Sequence, residues 1–88
     1  MRPRVEWMKY PGDDRILELL SESGLILSPS VIAANLDYTR QHVSSRMGPL
    51  EEHGLIEKSG TGKGHYKITE KGQRYLDSEL NKSDLSNE

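Results

Sequence analysis

The sequence has no cysteine, no phenylalanine and a single tryptophan. Without thiols there is no disulfide framework, no thiolate nucleophile and no cysteine-based zinc site, and the composition fits a reducing, cytoplasmic setting. No apolar run approaches the roughly 20 residues that cross a bilayer, so no membrane partner is expected. Met1–Tyr10 carries basic residues but no apolar stretch of the secretory kind, so it does not read as a signal peptide. Histidine is scarce as well. His42, His53 and His65 are dispersed along the chain, and no pair of them has metal-ligand spacing. No serine has an evident base with an orienting partner. Neither catalysis, nor a metal, nor a cofactor is expected. Gly60-Thr61-Gly62-Lys63-Gly64 is rich in glycine but lacks the spacing of a phosphate-binding loop, and no helix follows its lysine directly. With no evident sensor region, no small-molecule ligand is expected either.

What is present is one domain of 88 residues. A chain of this size builds a modest core and is marginal alone, so a second copy is a reasonable partner. The net charge of −2 argues against a strongly basic footprint. Its distribution is uneven, however. Lys58, Lys63, Lys67, Lys71 and Arg74 stand against Glu70 alone, while Asp13, Asp14, Glu18, Glu22, Glu51, Glu52 and Glu57 lie elsewhere. Such asymmetry is what a phosphate-facing surface would produce, although an ordinary mixed surface produces it too.

The pattern predicts helix, strand stub, helix, helix, hairpin, helix. Gly12 or Asp13 is placed to cap a first helix with Ile16, Leu17, Leu19 and Leu20 on one broad face, stopped by Gly24. Leu25-Ile26-Leu27 reads as a buried stub of strand. Ser28-Pro29 opens a second helix to about Leu36, because serine caps and a proline at the first position loses only an N–H with no helical partner. Thr39 caps a third helix, Thr39–His53, in which Val43, Met47 and Leu50 share one face and Gly54 stops the run. Pro49 is expected to kink or loosen it after Ser45. Two strand-like runs around Leu55–Lys58 and His65–Ile68 flank a glycine-rich loop. Thr69 caps a last helix, roughly Glu70–Leu80. The domain is expected to span residues 1–80, with an arm at 1–11 and a polar, disordered tail at 81–88. Trp7, Tyr10, Tyr75 and Leu80 are candidates for a homodimer contact, or for packing within one copy.

Two helices joined by a tight turn at Leu36–Thr39 match a helix-turn-helix. A major groove of about 12 Å admits one helix, which must protrude while the other braces it. With Val43, Met47 and Leu50 turned inward, Arg40, Gln41, Ser44 and Ser45 remain as base readers. Arginine reaches both acceptors of guanine, and glutamine pairs with adenine. Thr39 and Arg46 are candidate phosphate contacts. The hairpin at Ser59–His65 would lie on the backbone or minor groove, where glycine permits close approach and Lys63 and Thr61 can bind phosphate. An ordinary three-helix packing unit with a polar outer face and an exposed loop is the plainer alternative.

The run Ile32-Ala33-x-x-Leu36-x-x-Thr39-x-x-x-Val43-Ser44-x-Arg46-Met47-x-x-Leu50-Glu51-x-x-Gly54-Leu55-Ile56 resembles winged-helix transcriptional regulators. Tyr66-x-Ile68-Thr69-x-x-Gly72-x-x-Tyr75-Leu76 resembles the second wing strand and final helix of that group. The likeness covers Asp13–Leu80. With Trp7-Met8 and Asp13-Asp14-Arg15-Ile16-Leu17 added, the chain resembles small haloarchaeal repressors of the phage phiH type. That resemblance implies an α+β winged helix, a regulator, commonly a repressor, of double-stranded DNA, and a homodimer on a two-fold operator. Gly48-Pro49 departs from the polar or basic residues usual there. The competing function is a winged-helix protein-interaction module without DNA binding; an enzyme fragment or lid is a more remote reading.

Overall fold

Hydroxyl side chains set the starts of the helices, as their positions predict. The computed structural model describes residues 2–60 and 64–85. Its order is α1 (Gly12–Ser23), α2 (Pro29–Leu36), α3 (Arg40–Glu52), β1 (Ile56–Lys58), β2 (Tyr66–Ile68), α4 (Glu70–Leu76) and α5 (Lys82–Leu85). The Ser28 hydroxyl accepts from Val31 N–H at 3.3 Å, Thr39 from His42 N–H at 3.1 Å and Thr69 from Gly72 N–H at 3.0 Å. Each such cap contributes about 1 kcal/mol. The first helix breaks the expectation: Pro11 is its N-cap and no side chain caps it. Asp13 is instead turned into the core.

Helix ends are equally local. Gly24 adopts φ +64 after α1, and Asp37 adopts φ +60 between α2 and α3. Asp37 takes the left-handed position that aspartate tolerates better than most side chains, which makes the turn tight. Pro49 lies inside α3 without ending it, since the helix continues to Glu52. The hairpin is antiparallel, with Ile56 opposite Ile68 and Lys58 opposite Tyr66. Tyr66 also forms a bridge to Leu27 on its other side.

The core gathers one face of each helix. Ile16, Leu17 and Leu20 of α1 meet Ile32 and Ala33 of α2, Val43, Met47 and Leu50 of α3, and Leu55, Ile56 and Tyr75 beyond them. This is the α+β arrangement of a winged helix, as expected. Gly72 shows how tightly the pieces close. A Cβ there would overlap the Leu55 carbonyl oxygen and stand 2.7 Å from Ile68 Cγ1. Thr69 completes that joint by donating its hydroxyl to the Gly54 carbonyl at 2.5 Å.

Three expectations need correcting. Leu25 and Ile26 are 59% and 43% exposed, so only Leu27 of the supposed buried stub takes part in a strand-like pairing. The last long helix stops at Leu76 rather than Leu80, because Ser78 turns the chain at φ +61. The polar tail expected to be disordered contributes to the fold through Leu85, whose side chain is fully buried and whose carbonyl accepts the Trp7 indole N–H at 2.8 Å. A predominantly polar segment was held by one apolar anchor that composition does not reveal.

The N-terminal arm runs along one flank of α3. The Trp7 ring stacks on His53 with centroids 3.8 Å apart. Arg46 forms a forked pair with buried Asp13, Nε to Oδ1 at 2.8 Å and Nη2 to Oδ2 at 2.9 Å, and also donates to the Trp7 carbonyl at 2.8 Å. Asp13 accepts the Lys9 N–H as well, at 3.1 Å. Trp7, Tyr10, Tyr75 and Leu80, offered above as dimer contacts, are all packed into or against the core of the same chain.

Two outcomes test this packing. Gly72→Ala should destabilise the domain by about 1–3 kcal/mol, because backbone must move to admit the methyl group; urea unfolding measures it. Asp13→Ala should cost about 3 kcal/mol, since it strands a buried guanidinium, and the double variant Asp13→Ala with Arg46→Met should recover part of that loss.

Candidate nucleic-acid interface

Helix α3 has two sides consumed by the fold and one left open. Val43, Met47 and Leu50 face the core. Arg46 and His53 form the flank covered by the arm, and His42 stands exposed at its N-terminal end. His42 lies beside the start of α1, where a Cβ on Gly12 would come within 3.2 Å of its ring, and Tyr38 meets it edge-on at 5.4 Å. Opposite the core, Gln41, Ser44, Ser45 and Gly48 are exposed. They follow the helical spacing that places residues on one surface.

The proposed base readers therefore come together on one open strip. Arg40 and Gln41 are exposed in the first turn. Their side chains, and that of Ser44, have no hydrogen bond or ion pair among the described residues. Ser45 is exposed, but its hydroxyl donates to the His42 carbonyl at 2.6 Å. In that rotamer it offers a groove only acceptor lone pairs. Thr39 is exposed and uses its oxygen to accept from His42 N–H, which leaves its own O–H available. Thr61 and Lys63 lie outside the described residues.

Arg46 is the correction. It was expected at a phosphate, but its side chain is only 8% exposed and locked to Asp13. The hydrogen bond to Asp13 holds the guanidinium even further above its already high pKa, against the opposing effect of burial. The residue stands on the flank, as its spacing predicts. What occupies that flank is the arm and α1 rather than solvent.

The basic stretch from Lys58 to Arg74 is not a single bare surface either. Lys67 pairs with Glu57 at 3.7 Å and Arg74 with Glu79 at 3.6 Å. Lys71 lays its stem against Gly54. Lys58 stays exposed, without an ion pair among the described residues. Between the strands, Ser59 N–H donates to the His65 carbonyl at 3.0 Å and closes the hairpin base. Gly60 takes φ +81 over the Ile26 side chain, a conformation costly for other residues.

Gly48, which departs from the polar or basic residues usual at its position, lies on the open strip. It stands seven residues after Gln41, and nothing lies within 4 Å of where its Cβ would be. Helical spacing carried that signal. The arm along the other flank had no such signal, since contacts between Trp7 and His53 or Asp13 and Arg46 join distant parts of the chain.

Among the described residues no group of three or more His, Cys, Asp and Glu side chains is arranged to hold a metal. No described helix is long and apolar enough to cross a membrane.

The sequence model of the winged helix-turn-helix phage repressor family matches residues 1–88. A repressor protein of Halobacterium phage phiH is 39% identical over 87 residues, covering 97% of each chain. No solved structure gives a significant match. The fold, the open third helix and these two likenesses agree: the chain belongs to the winged helix-turn-helix phage repressor family.

Proposed function

We propose that this chain is a sequence-specific regulator of transcription that binds double-stranded DNA and acts as a repressor. In this reading α3 lies in the major groove, with Arg40, Gln41, Ser44 and Ser45 at base edges. Thr39 and the hairpin residues Thr61 and Lys63 contact the backbone, the hairpin reaching the backbone or minor groove. The observation that carries the reading is the open strip of α3. Its side chains are polar, short or unpartnered, while the remaining sides of the helix are used in packing. The name of the phiH relative supports the repressor sense.

Serine and glycine give the strip a low profile. Gly48 in particular has no positive φ and no neighbour that requires it. Its one local use is to ease the contact with the Pro49 ring, which disfavours a helical residue before it. Close approach of the helix to DNA is a second use, and substitution separates the two. A homodimer on a two-fold site remains part of the proposal, with half-sites about 34 Å apart. The aromatic groups first considered for its interface are packed within one copy, so other surfaces would form it.

Mobility-shift titration against duplex DNA at several salt concentrations tests the reading. The chain should retard duplexes, with affinity falling as salt rises. Unchanged migration with every duplex, down to low salt, would refute it. Once a preferred sequence is selected, Arg40→Ala or Gln41→Ala should cost about 1–3 kcal/mol at one base position and relax the preference there. Gly48→Ala should weaken binding to that sequence while leaving the melting temperature equal or higher, because alanine favours a helix by roughly 1 kcal/mol over glycine. A lower melting temperature with unchanged affinity would assign Gly48 to the accommodation of Pro49 instead.

A further inference from the structure

We infer that the start of α1 carries a second contact to the DNA backbone, made by Lys9 and Arg15, at the opposite end of that helix from the hairpin. The inference rests on the DNA reading of α3. Gly12 lies against His42, in the DNA-facing half of α3. The arm just before it is fixed to the same helix, because Lys9 N–H is bound to Asp13 and Asp13 to Arg46. Lys9 is thus tied by its backbone to the flank of α3 next to the open strip, and its side chain is exposed. Arg15 is also exposed. It follows Gly12 by three residues, a spacing that keeps the two on neighbouring parts of the α1 surface. It lines a shallow groove with Leu19, Asn35 and Leu36, which places it beside the turn leading into α3.

Charge at this end of α1 is more positive than the sequence implies. Asp13 is consumed by Arg46. Asp14 receives the Tyr75 hydroxyl and stands 3.5 Å from Arg2, whose nearest partner is Glu18 at 2.8 Å. Asp13 is thereby neutralised by a cation of α3 itself, and Asp14 and Glu18 are engaged by Arg2. Lys9 and Arg15 have no ion pair among the described residues. Glu18 and Glu22 line the same groove as Arg15, but Glu18 is paired with Arg2 and Glu22 lies near the other end of α1.

The spacing suits a duplex. Gly12 begins α1, and Ile26, just past its end, supports Gly60 of the hairpin. A helix of 12 residues rises about 18 Å. That exceeds the roughly 12 Å width of a major groove. Lys9 and Arg15 at the start of α1 and the hairpin beyond its end are therefore far enough apart to meet phosphates on opposite sides of the groove that α3 enters.

The test is a salt titration of binding to a mixed-sequence duplex, by fluorescence anisotropy, for the full chain. Lys9→Gln and Arg15→Gln should each lower the slope of log K against log salt by about 0.9, with unchanged melting temperature. Lys9→Arg should keep the original slope. Arg74→Gln, which removes the same charge from α4, should leave it unaltered. If the unsubstituted chain binds with its full slope and both glutamine variants match it, the contact is refuted while the DNA reading stands. An equal loss in Arg74→Gln would also refute it, by reducing the effect to net charge. Failure of the unsubstituted chain to bind any duplex would remove the DNA reading itself.

Discussion

The forked pair between Asp13 and Arg46 is the constraint on which the orientation of the third helix depends. Two nearly buried charges are costly to remove from water, and only good geometry with further hydrogen bonds repays that cost. Here the geometry is supplied from three directions. Both guanidinium contacts to Asp13 are short, Arg46 has a further acceptor in the Trp7 carbonyl, and Asp13 has a further donor in Lys9 N–H. A hydrophobic contact could also hold α3 against α1. It would tolerate sliding, whereas a planar fork between guanidinium and carboxylate fixes distance and angle together. The start of α1, the arm and the middle of α3 consequently form one rigid unit.

That unit explains why an arm of irregular backbone is not a loose appendage. Trp7 is stacked on His53 and hydrogen-bonded to Leu85, so the beginning and the end of the described chain meet beside the last turn of α3. Arg2 extends the same belt to the end of α4 by donating to the Leu76 carbonyl at 3.1 Å. In a small domain, where the core is limited, such edge contacts are a substantial share of what resists unfolding. They also leave the open strip of α3 free, because every strong anchor is on another side of the helix. Packing on two sides and exposure on the third suit the proposed role of α3 as an element that enters a groove without rearranging.

Much of the architecture was readable from short-range rules. Ser28, Thr39 and Thr69 cap helices because a hydroxyl accepts from an N–H only a few residues away. Val43, Met47 and Leu50 face inward because helical spacing permits little else for three apolar groups in a polar segment. Arg40, Gln41, Ser44 and Ser45 emerge on the open strip by the same arithmetic. The readings that failed concerned residues whose role depends on a distant partner. Asp13 looked like a cap, Arg46 like a phosphate contact, Leu25 and Ile26 like core, and the segment near Leu85 like a free tail.

The open strip of α3 is the part of the proposed functional surface that the sequence by itself determined, together with the caps, the hairpin and the order of elements. Each follows from interactions within about two helical turns, where covalent connection already brings the partners together. Tertiary structure alone decided which charges remain available. A guanidinium has the same local pattern whether it reaches solvent or a buried carboxylate 33 residues earlier in the chain. Only packing of the arm and α1 against α3 removes Arg46 and Asp13 from the surface, engages Asp14 and Glu18 with Arg2, and leaves Lys9 and Arg15 exposed.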